Sequence, residues 1–364
     1  MNKPIVLVGE AKGENEVKIN SSFVGSSGIE LLRILDEASV ISLSGDDYDY
    51  ISKYYRIGDP HCIDAVWRLH PEVYRTNVFQ LHPTANKIES LCGPKQTALA
   101  GYPVLAKGKY IRREFGPELE RLADELVEMD PNVIVALGNT PLWALAGQTA
   151  ISKRRGTTYL STHTVSGFKL LPTYHPAAVL RQWELRPIVV ADLIKAKRES
   201  EWPEIRRPKR VLWIEPSVRD LYEFERQFIT RPGRLAVDIE TSGNQVTCIG
   251  FAPDKGTCLV IPFVGRNRRS YWPTPENEKL AWEFICNILS DKRIHKTFQN
   301  GLYDIAFLWR ANGVKVYGAD EDSMLLHHSL QPESLKSLGF LGSIYTDEGA
   351  WKQERKVSTI KADE

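Results

Sequence analysis

The chain has almost no net charge. Its 364 residues carry 47 lysines and arginines against 46 aspartates and glutamates, so any nucleic-acid binding must come from local basic patches and from metal, not from a global positive field. Cysteine is also scarce. The five, at positions 62, 92, 248, 258 and 286, include no C-x-x-C pair, so neither a zinc knuckle nor a disulfide framework is suggested. Cys248 and Cys258 are spaced to face each other across a hairpin, but reduced thiols are expected. No apolar run reaches membrane-spanning length, and the start, MNKPIVLVGEA, enters a strand with no secretion-signal pattern. No membrane association is therefore expected, and the expected compartment is the cytoplasm. There is no internal repeat and no low-complexity tract. What is present, 42% hydrophobic and 26% charged residues over 364 positions, is the make-up of a folded protein long enough for two domains with their own cores.

The pattern divides near residue 200. Up to about Lys197 apolar strands, glycine-rich turns and helices alternate, which predicts an α/β fold with a parallel sheet. The clearest strands are Ile5 to Val8, Val133 to Leu137 and Lys169 to Thr173. The clearest helices are Ile29 to Ala38, Pro117 to Glu128, Pro141 to Ala146 and Pro187 to Glu199. Residues 200–209, SEWPEIRRPK, join two prolines to a basic cluster and read as a linker. Domains are thus expected over 1–199 and 210–364. In the second, RVLWIEPSVRDLYEFERQFI predicts a strand, a turn and an amphipathic helix. Strands over Val246 to Ala252 and Thr257 to Pro262, then helices near Glu276 to Leu289 and Leu302 to Asn312, predict a meander followed by helices.

Two segments carry chemistry. RLAVDIET (Arg234 to Thr241) sets Asp238 and Glu240 two residues apart, on one face of a strand whose other residues are mostly apolar. HKTFQNGLYD (His295 to Asp304) adds Asp304. Alternating carboxylates are most often a solvated strand face, but at the end of an apolar strand they need partners or metal. Three that a fold converges on one point suit two divalent cations with hard oxygen ligands. In the first half, VGEAKGENE (Val8 to Glu16) follows a strand and FVGSSG (Phe23 to Gly28) precedes a helix. Glycines there mean close approach to a ligand or a tight turn. The segment is neither a Walker loop, having no Gly-Lys-Ser/Thr, nor a G-x-G-x-x-G fingerprint.

GEAKGENE with FVGSSG, then Arg75-Thr76-Asn77-Val78, VIVALGN (Val133 to Asn139) and TYHPAAVLR (Thr173 to Arg181) resemble, in order, the motif set of family 4 uracil-DNA glycosylases, over about Ile5 to Lys197. The resemblance implies a parallel sheet with helices on both faces and hydrolysis of the N-glycosidic bond of a flipped-out deoxyuridine. It implies roles as well. Glu10 orients water or stabilises the sugar cation, with Glu14 and Glu16 as competitors. Phe23 stacks on uracil or simply packs in the core. Asn77 reads O4 and N3–H, His175 donates to O2, and Val179, Leu180 and Arg181 lie on a DNA-facing loop. The sequence departs from the family in two ways. Family 4 enzymes hold an iron-sulfur cluster with four cysteines and this half has only Cys62 and Cys92, with residues 40–75, rich in Asp and Tyr, in place of a cluster-bearing region, so no cluster is expected. Lys12 replaces the usual proline of the first motif.

DIET followed by Asn300-x-x-x-Asp304, then by Asp322-Ser-Met-Leu-Leu-His and the run Ser334 to Thr346, resembles the 3'-5' exonuclease domain of family A DNA polymerases, of the DEDD superfamily, over roughly Arg210 to Lys352. That implies a ribonuclease-H-like fold. It also implies two Mg²⁺ or Mn²⁺ ions held by Asp238, Glu240 and Asp304, with Asn300 near the substrate. The family's later Tyr-x-x-x-Asp motif is missing: Tyr345 and Asp347 lack the spacing, and none follows Trp351. Asp322 is the possible stand-in, and His327 and His328 are expected to be structural. The pairing of domains suggests a fragment or split version of a phage-type polymerase, its partner supplied in trans. Three readings follow. One is uracil recognition or excision coupled to an exonuclease domain, acting on DNA in replication or repair. The second is a non-catalytic DNA-binding and docking module. The third is a nucleoside or nucleotide hydrolase.

Overall fold

The computed structural model describes residues 3–55 and 59–348. The chain divides into two compact units, Met1–Arg206 joined by the segment from Gly339, and Arg207–Leu338.

In the first unit β1 (Ile5–Ala11) leads into a short helix α1 (Glu14–Ile19) and then α2 (Ser26–Glu37). Helices α3 (Gly45–Tyr55) and α4 (His61–Arg68) precede β2 (Val73–Phe79). A small pair, β3 (Cys92–Gly93) and β4 (Tyr110–Ile111), is followed by α5 (Gly116–Met129), β5 (Ile134–Leu137) and α6 (Asn139–Ala146). Then come α7 (Ile151–Arg154), β6 (Tyr159–Thr162), β7 (Ser166–Thr173), α8 (Pro176–Val179) and α9 (Arg186–Glu199). The main sheet runs β2-β1-β5-β7-β6, parallel except for β6 against β7.

Strand periodicity builds three layers. Ile5 and Leu7 of β1 pack on one face with the apolar sides of α2, α4 and α9, while Val6 and Val8 pack on the other with α5 and α6. Each fully buried aliphatic side chain contributes about 1.5–3 kcal/mol. The strands therefore read as continuous apolar runs, as sheets covered on both faces do.

The second unit contains β8 (Val211–Ile214), α10 (Val218–Phe228), β9 (Gly233–Ser242), β10 (Gln245–Asp254) and β11 (Thr257–Pro262). After these come α11 (Pro275–Ser290), β12 (Ile294–Phe298), α12 (Gly301–Asn312), β13 (Glu321–Asp322) and α13 (Ser323–Leu330). A last helix, α14 (Leu338–Tyr345), begins where this unit ends. The sheet order is β13-β12-β9-β10-β11-β8. The meander β9-β10-β11 is antiparallel, and β12 and β13 continue parallel to β9. This is the ribonuclease-H-like arrangement. Leu235, Val237 and Ile239 of β9 face a core completed by α10 and α11, which leaves Ala236, Asp238 and Glu240 on the opposite face.

Cys248 and Cys258 do not face each other: Cys248 is opposite Pro262 in the β10–β11 register, and neither is in a disulfide. No helix among the described residues is long and apolar enough to cross a membrane. Trp351 and the last positions of the exonuclease resemblance lie outside the described residues.

Candidate functional site

Four parallel strands deliver the site of the first unit at their carboxyl ends, where open parallel sheets bind ligands. Glu10 is the last residue but one of β1, Asn77 lies near the end of β2, Thr140 is the second residue of the helix after β5, and His175 follows β7. Glu10 accepts a hydrogen bond from the Thr140 hydroxyl. Burial raises its pKa above the ordinary carboxylate value, Thr140 opposes this, and the charge of Glu89 adds to it. The competing glutamates are spent elsewhere. Glu14 is exposed and paired with Lys18 at 2.7 Å. Glu16 is the N3 carboxylate of α1 and accepts from the backbone N–H groups of Gly13 at 3.0 Å and Phe23 at 2.7 Å.

Glu16 also organises its neighbours. Asn77 is buried and directs Nδ2 to Glu16 Oε2 at 3.4 Å and to Ser22 Oγ at 3.3 Å, while Arg121 holds its carbonyl at 2.7 Å. With both amide hydrogens so directed, Oδ1 is the atom facing Gly9, its register partner on β1. A Cβ at Gly9 would stand 2.2 Å from Asn77 Oδ1 and 2.6 Å from the Phe23 ring, so only glycine leaves that space.

Phe23 is 2% exposed and belongs to the core cluster, with its ring stacked on His175 at a centroid distance of 5.9 Å. Its φ of 57° is in the left-handed region, a conformation that costs about 1–2 kcal/mol for a non-glycine residue. Glu16 on its N–H and Trp67 on its carbonyl, at 2.9 Å, hold it there. Gly28 permits the turn, since a Cβ at that position would lie 1.7 Å from the Phe23 carbonyl oxygen.

His175 is the N-cap of α8, and its Nδ1 accepts from the Ala177 N–H at 3.1 Å. That bond fixes the tautomer: the hydrogen of the neutral ring sits on Nε2. Burial, and then the charge of Arg181, push its pKa down to about 4, so the ring is a neutral donor at physiological pH. Leu180 is 49% exposed and Arg181 is exposed beside it. Val179 does not join that loop surface. It is fully buried in the core, because α8 turns its fourth and last residue inward.

In the second unit Asp238, Glu240 and Asp304 come to one stretch of strand. Asp304 is buried, and its Oδ1 accepts from the backbone N–H of Ile239, the residue between the other two, at 3.2 Å. Burial raises its pKa to about 6; the Ile239 bond works against this and the Asp238 charge with it. Asp238 and Glu240 line an apolar hollow of about 360 Å³ on the open sheet face with Cys248, Gly250 and Cys258. Among the described residues, no group of three His, Cys, Asp or Glu side chains has the geometry to hold a metal ion. Asp238, Glu240 and Asp304 are the groups that would hold divalent cations there, since Mg²⁺ is commonly bound by one or two carboxylates completed by water and phosphate.

Asp322 is no stand-in. Its carboxylate accepts from the N–H groups of Asn300, Gly301, Met324 and Leu325, and these hold its pKa down against the effect of burial. It caps α13 and ties down the turn into α12. Asn300 is that turn, with φ 59° and an exposed side chain. His327 is buried against Ser334, and Asp347 pairs with Arg198.

Sequence reasoning passed over Thr140, Ser22 and Arg121. Thr140 stands one residue beyond VIVALGN, and for Ser22 and Arg121 no local pattern exists. The organising role of Glu16 was signalled by its place three residues after Gly13, the spacing of a capping box.

Residues 1–198 match the family model described as the uracil DNA glycosylase superfamily. A type-4 uracil-DNA glycosylase of Thermotoga maritima is 29% identical over 197 residues, covering 53% of this chain and 76% of that protein. A DNA polymerase of Bacillus phage SP01 is 24% identical over 259 residues, covering 64% of this chain; the chain spans 27% of the polymerase. Among solved structures, Brucella melitensis NrnC superposes with a TM-score of 0.27 at 20% identity, covering 34% of this chain and 57% of that one.

Proposed function

Since the chain belongs, through residues 1–198, to the uracil DNA glycosylase superfamily, we propose that its first unit excises uracil from DNA. The observation that carries this reading is the fixed tautomer of His175: a neutral Nε2–H donor, with Nδ1 held by the Ala177 N–H, at the same edge of the sheet as Asn77 and Glu10. In the reaction the C1'–N1 bond breaks with its electron pair leaving on uracil, and the negative charge collects on O2. The His175 Nε2–H stabilises that oxyanion, a donor of the kind whose removal typically costs about 10²–10³ in rate. A neutral donor does this without having to give up a proton. Asn77 Oδ1 accepts the uracil N3–H. Cytosine presents a lone pair at N3, so it would leave two acceptors facing each other in a buried site. Glu10 holds the water that adds to C1' and draws off its proton. Leu180 and Arg181 face the strand from outside the pocket.

For the second unit the resemblance supports 3'-5' exonuclease cleavage, and the similarity to a phage DNA polymerase supports action with a polymerase in trans. A second reading is favoured by the geometry of Asp238, Glu240 and Asp304, which make no metal-binding group among the described residues. In that reading the unit holds DNA or docks a partner without cutting. The test is a 5'-labelled single-stranded oligonucleotide with one uracil, incubated in EDTA or in Mg²⁺ and then treated with alkali. Scission at the uracil in EDTA is expected, and its absence sinks the excision reading. A Mg²⁺-dependent ladder would remove the non-cutting reading of the second unit. Release of uracil from free deoxyuridine at a comparable rate would move the first unit to nucleoside hydrolysis.

A further inference from the structure

A cleft of about 400 Å³ at the free edge of β2 takes no part in the chemistry above; Lys12, Asn20, Ser22, Thr76 and Gln80 help to line it. Most polar groups around it are already paired. Arg75 is spent on Asp64 at 2.6 Å and on the Ser22 carbonyl at 2.9 Å. Glu125 divides its oxygens between Arg121 at 2.6 Å and the Thr76 hydroxyl at 2.7 Å.

Two groups are not matched in this way. Gln80 gives its Nε2 to Thr76 Oγ1 at 3.0 Å. The Thr76 hydroxyl hydrogen goes to Glu125, so the amide cannot be reversed, and Gln80 Oε1 is buried with no hydrogen-bond partner among the described residues. Lys12 is only 5% exposed and donates to Asn20 Oδ1, a neutral acceptor; no ion pair reaches it among the described residues. A buried ammonium facing an amide, and a buried carbonyl facing nothing, are both costly unless a ligand completes them.

The cleft adjoins the uracil-reading atoms. Ser22 Oγ accepts from Asn77 Nδ2 at 3.3 Å, Thr76 precedes Asn77 on β2, and Lys12 follows Glu10 by two positions. A bare anion does not fit, because Gln80 Oε1 is an acceptor and would repel it. The missing partner must bring an anion and an N–H group together, as a nucleotide does, and the volume is that of a small-molecule site.

We infer that this cleft binds the nucleotide next to the excised uracil in a single strand, with its phosphate on Lys12 and a base N–H on Gln80 Oε1. The inference rests on the excision reading for the first unit. It deepens that reading by making the enzyme sensitive to the neighbour on one side only.

The test uses the full chain and the near-isosteric variants Lys12→Met and Gln80→Leu. Substrates are the trinucleotide dT-dU-dT and the dinucleotides dT-dU and dU-dT. Lys12→Met should raise KM about tenfold, the worth of one charge-assisted hydrogen bond, and Gln80→Leu about threefold to tenfold, that of a neutral one, on the trinucleotide and on one dinucleotide. Each should leave kcat and the other dinucleotide unchanged. Anisotropy of fluorescein-labelled dT-dU-dT should show the same weakening. Equal KM and equal anisotropy for both variants and wild type would overturn the subsite, as would an equal loss of kcat on all three substrates together with a lowered Tm. Wild-type protein that binds the trinucleotide but releases no uracil would overturn the excision reading alone, since the anisotropy series still reads the cleft.

Discussion

Glu10 on β1 and Asp238 on β9 both end an apolar run, yet the two strands put them in opposite surroundings. Glu10 stands at the carboxyl edge of four parallel strands and is bonded to Thr140, with Asn77 near the end of β2 and His175 just after β7 at the same edge. Asp238 stands on the open face of a sheet in which β9, β10 and β11 run antiparallel. A parallel sheet gathers the ends of all its strands into one place, whereas a meander alternates them. In the second unit β12 runs parallel to β9, and Asp304, in the helix after β12, reaches back to the Ile239 N–H of β9. The difference also appears in hydrogen bonding. Each polar group of the first site is held by a partner that fixes its orientation, as with Glu16 on Asn77 and Ala177 on His175. In the second, Asp304 is committed to a backbone amide and no metal-holding group of three forms among the described residues.

The sharpest way to break this contrast is His175→Ala, expected to slow uracil release by about 10²–10³-fold, as loss of an oxyanion donor does. The paired variant Asp238→Ala with Glu240→Ala should leave release unchanged and abolish any Mg²⁺-dependent ladder. If the pair of carboxylates also stopped excision in a folded protein, the separation into two sites would be wrong. Gly9→Ala comes next. Its new methyl would meet Asn77 Oδ1 and Phe23 at 2.2 and 2.6 Å, and displacing a reading group by about 1 Å can cost up to about 10²-fold in rate. Single-turnover uracil release from a single strand measures both effects.

Two smaller effects sharpen the comparison through pH and stability. His175 is neutral down to about pH 4, so uracil release should show no inflection at the ordinary imidazole value of 6.5. Its depressed pKa contributes stability that is present above 6.5 and lost as pH falls through about 4. Asp304 has the opposite sign. Its raised pKa favours the neutral form, so its contribution is full below 3.8 and lost as pH rises through about 6. Asp304→Asn keeps an oxygen for the Ile239 N–H and should flatten the fall in urea midpoint across that window; an unchanged profile would refute the shift. Smallest is Asp322→Ala, which removes the cap of α13 and should cost about 0.5–2 kcal/mol in chemical denaturation.

The elements were largely legible. Thr257–Pro262 was predicted to the residue, and the helices over Gly116–Met129 and Arg186–Glu199 within one position at each end. Proline at the first turn and strict apolar periodicity mark such boundaries. β2 was less visible, since Tyr74, Arg75, Thr76 and Asn77 break the apolar run at an edge strand. The motif residues Glu10, Asn77 and His175 were named from order along the chain, and the structure brings them to one edge of the sheet. Val179 was misplaced because one turn of helix separates buried from exposed and its boundary decides the face.

Composition and periodicity by themselves determined two α/β units and the strand that carries Asp238 and Glu240 on one face, while the order of the motifs carried the resemblance to the family of the first unit. These are local or ordered properties, written in the spacing of apolar residues and motifs. Which glutamate faces the site, which nitrogen of His175 carries the hydrogen, and whether Asp322 is a ligand or a cap were decided only by tertiary structure. Each depends on a partner distant in sequence or on a backbone turn, Thr140 for Glu10 and Asn300 for Asp322. A hydrogen bond between residues 130 apart leaves no periodic trace in either segment.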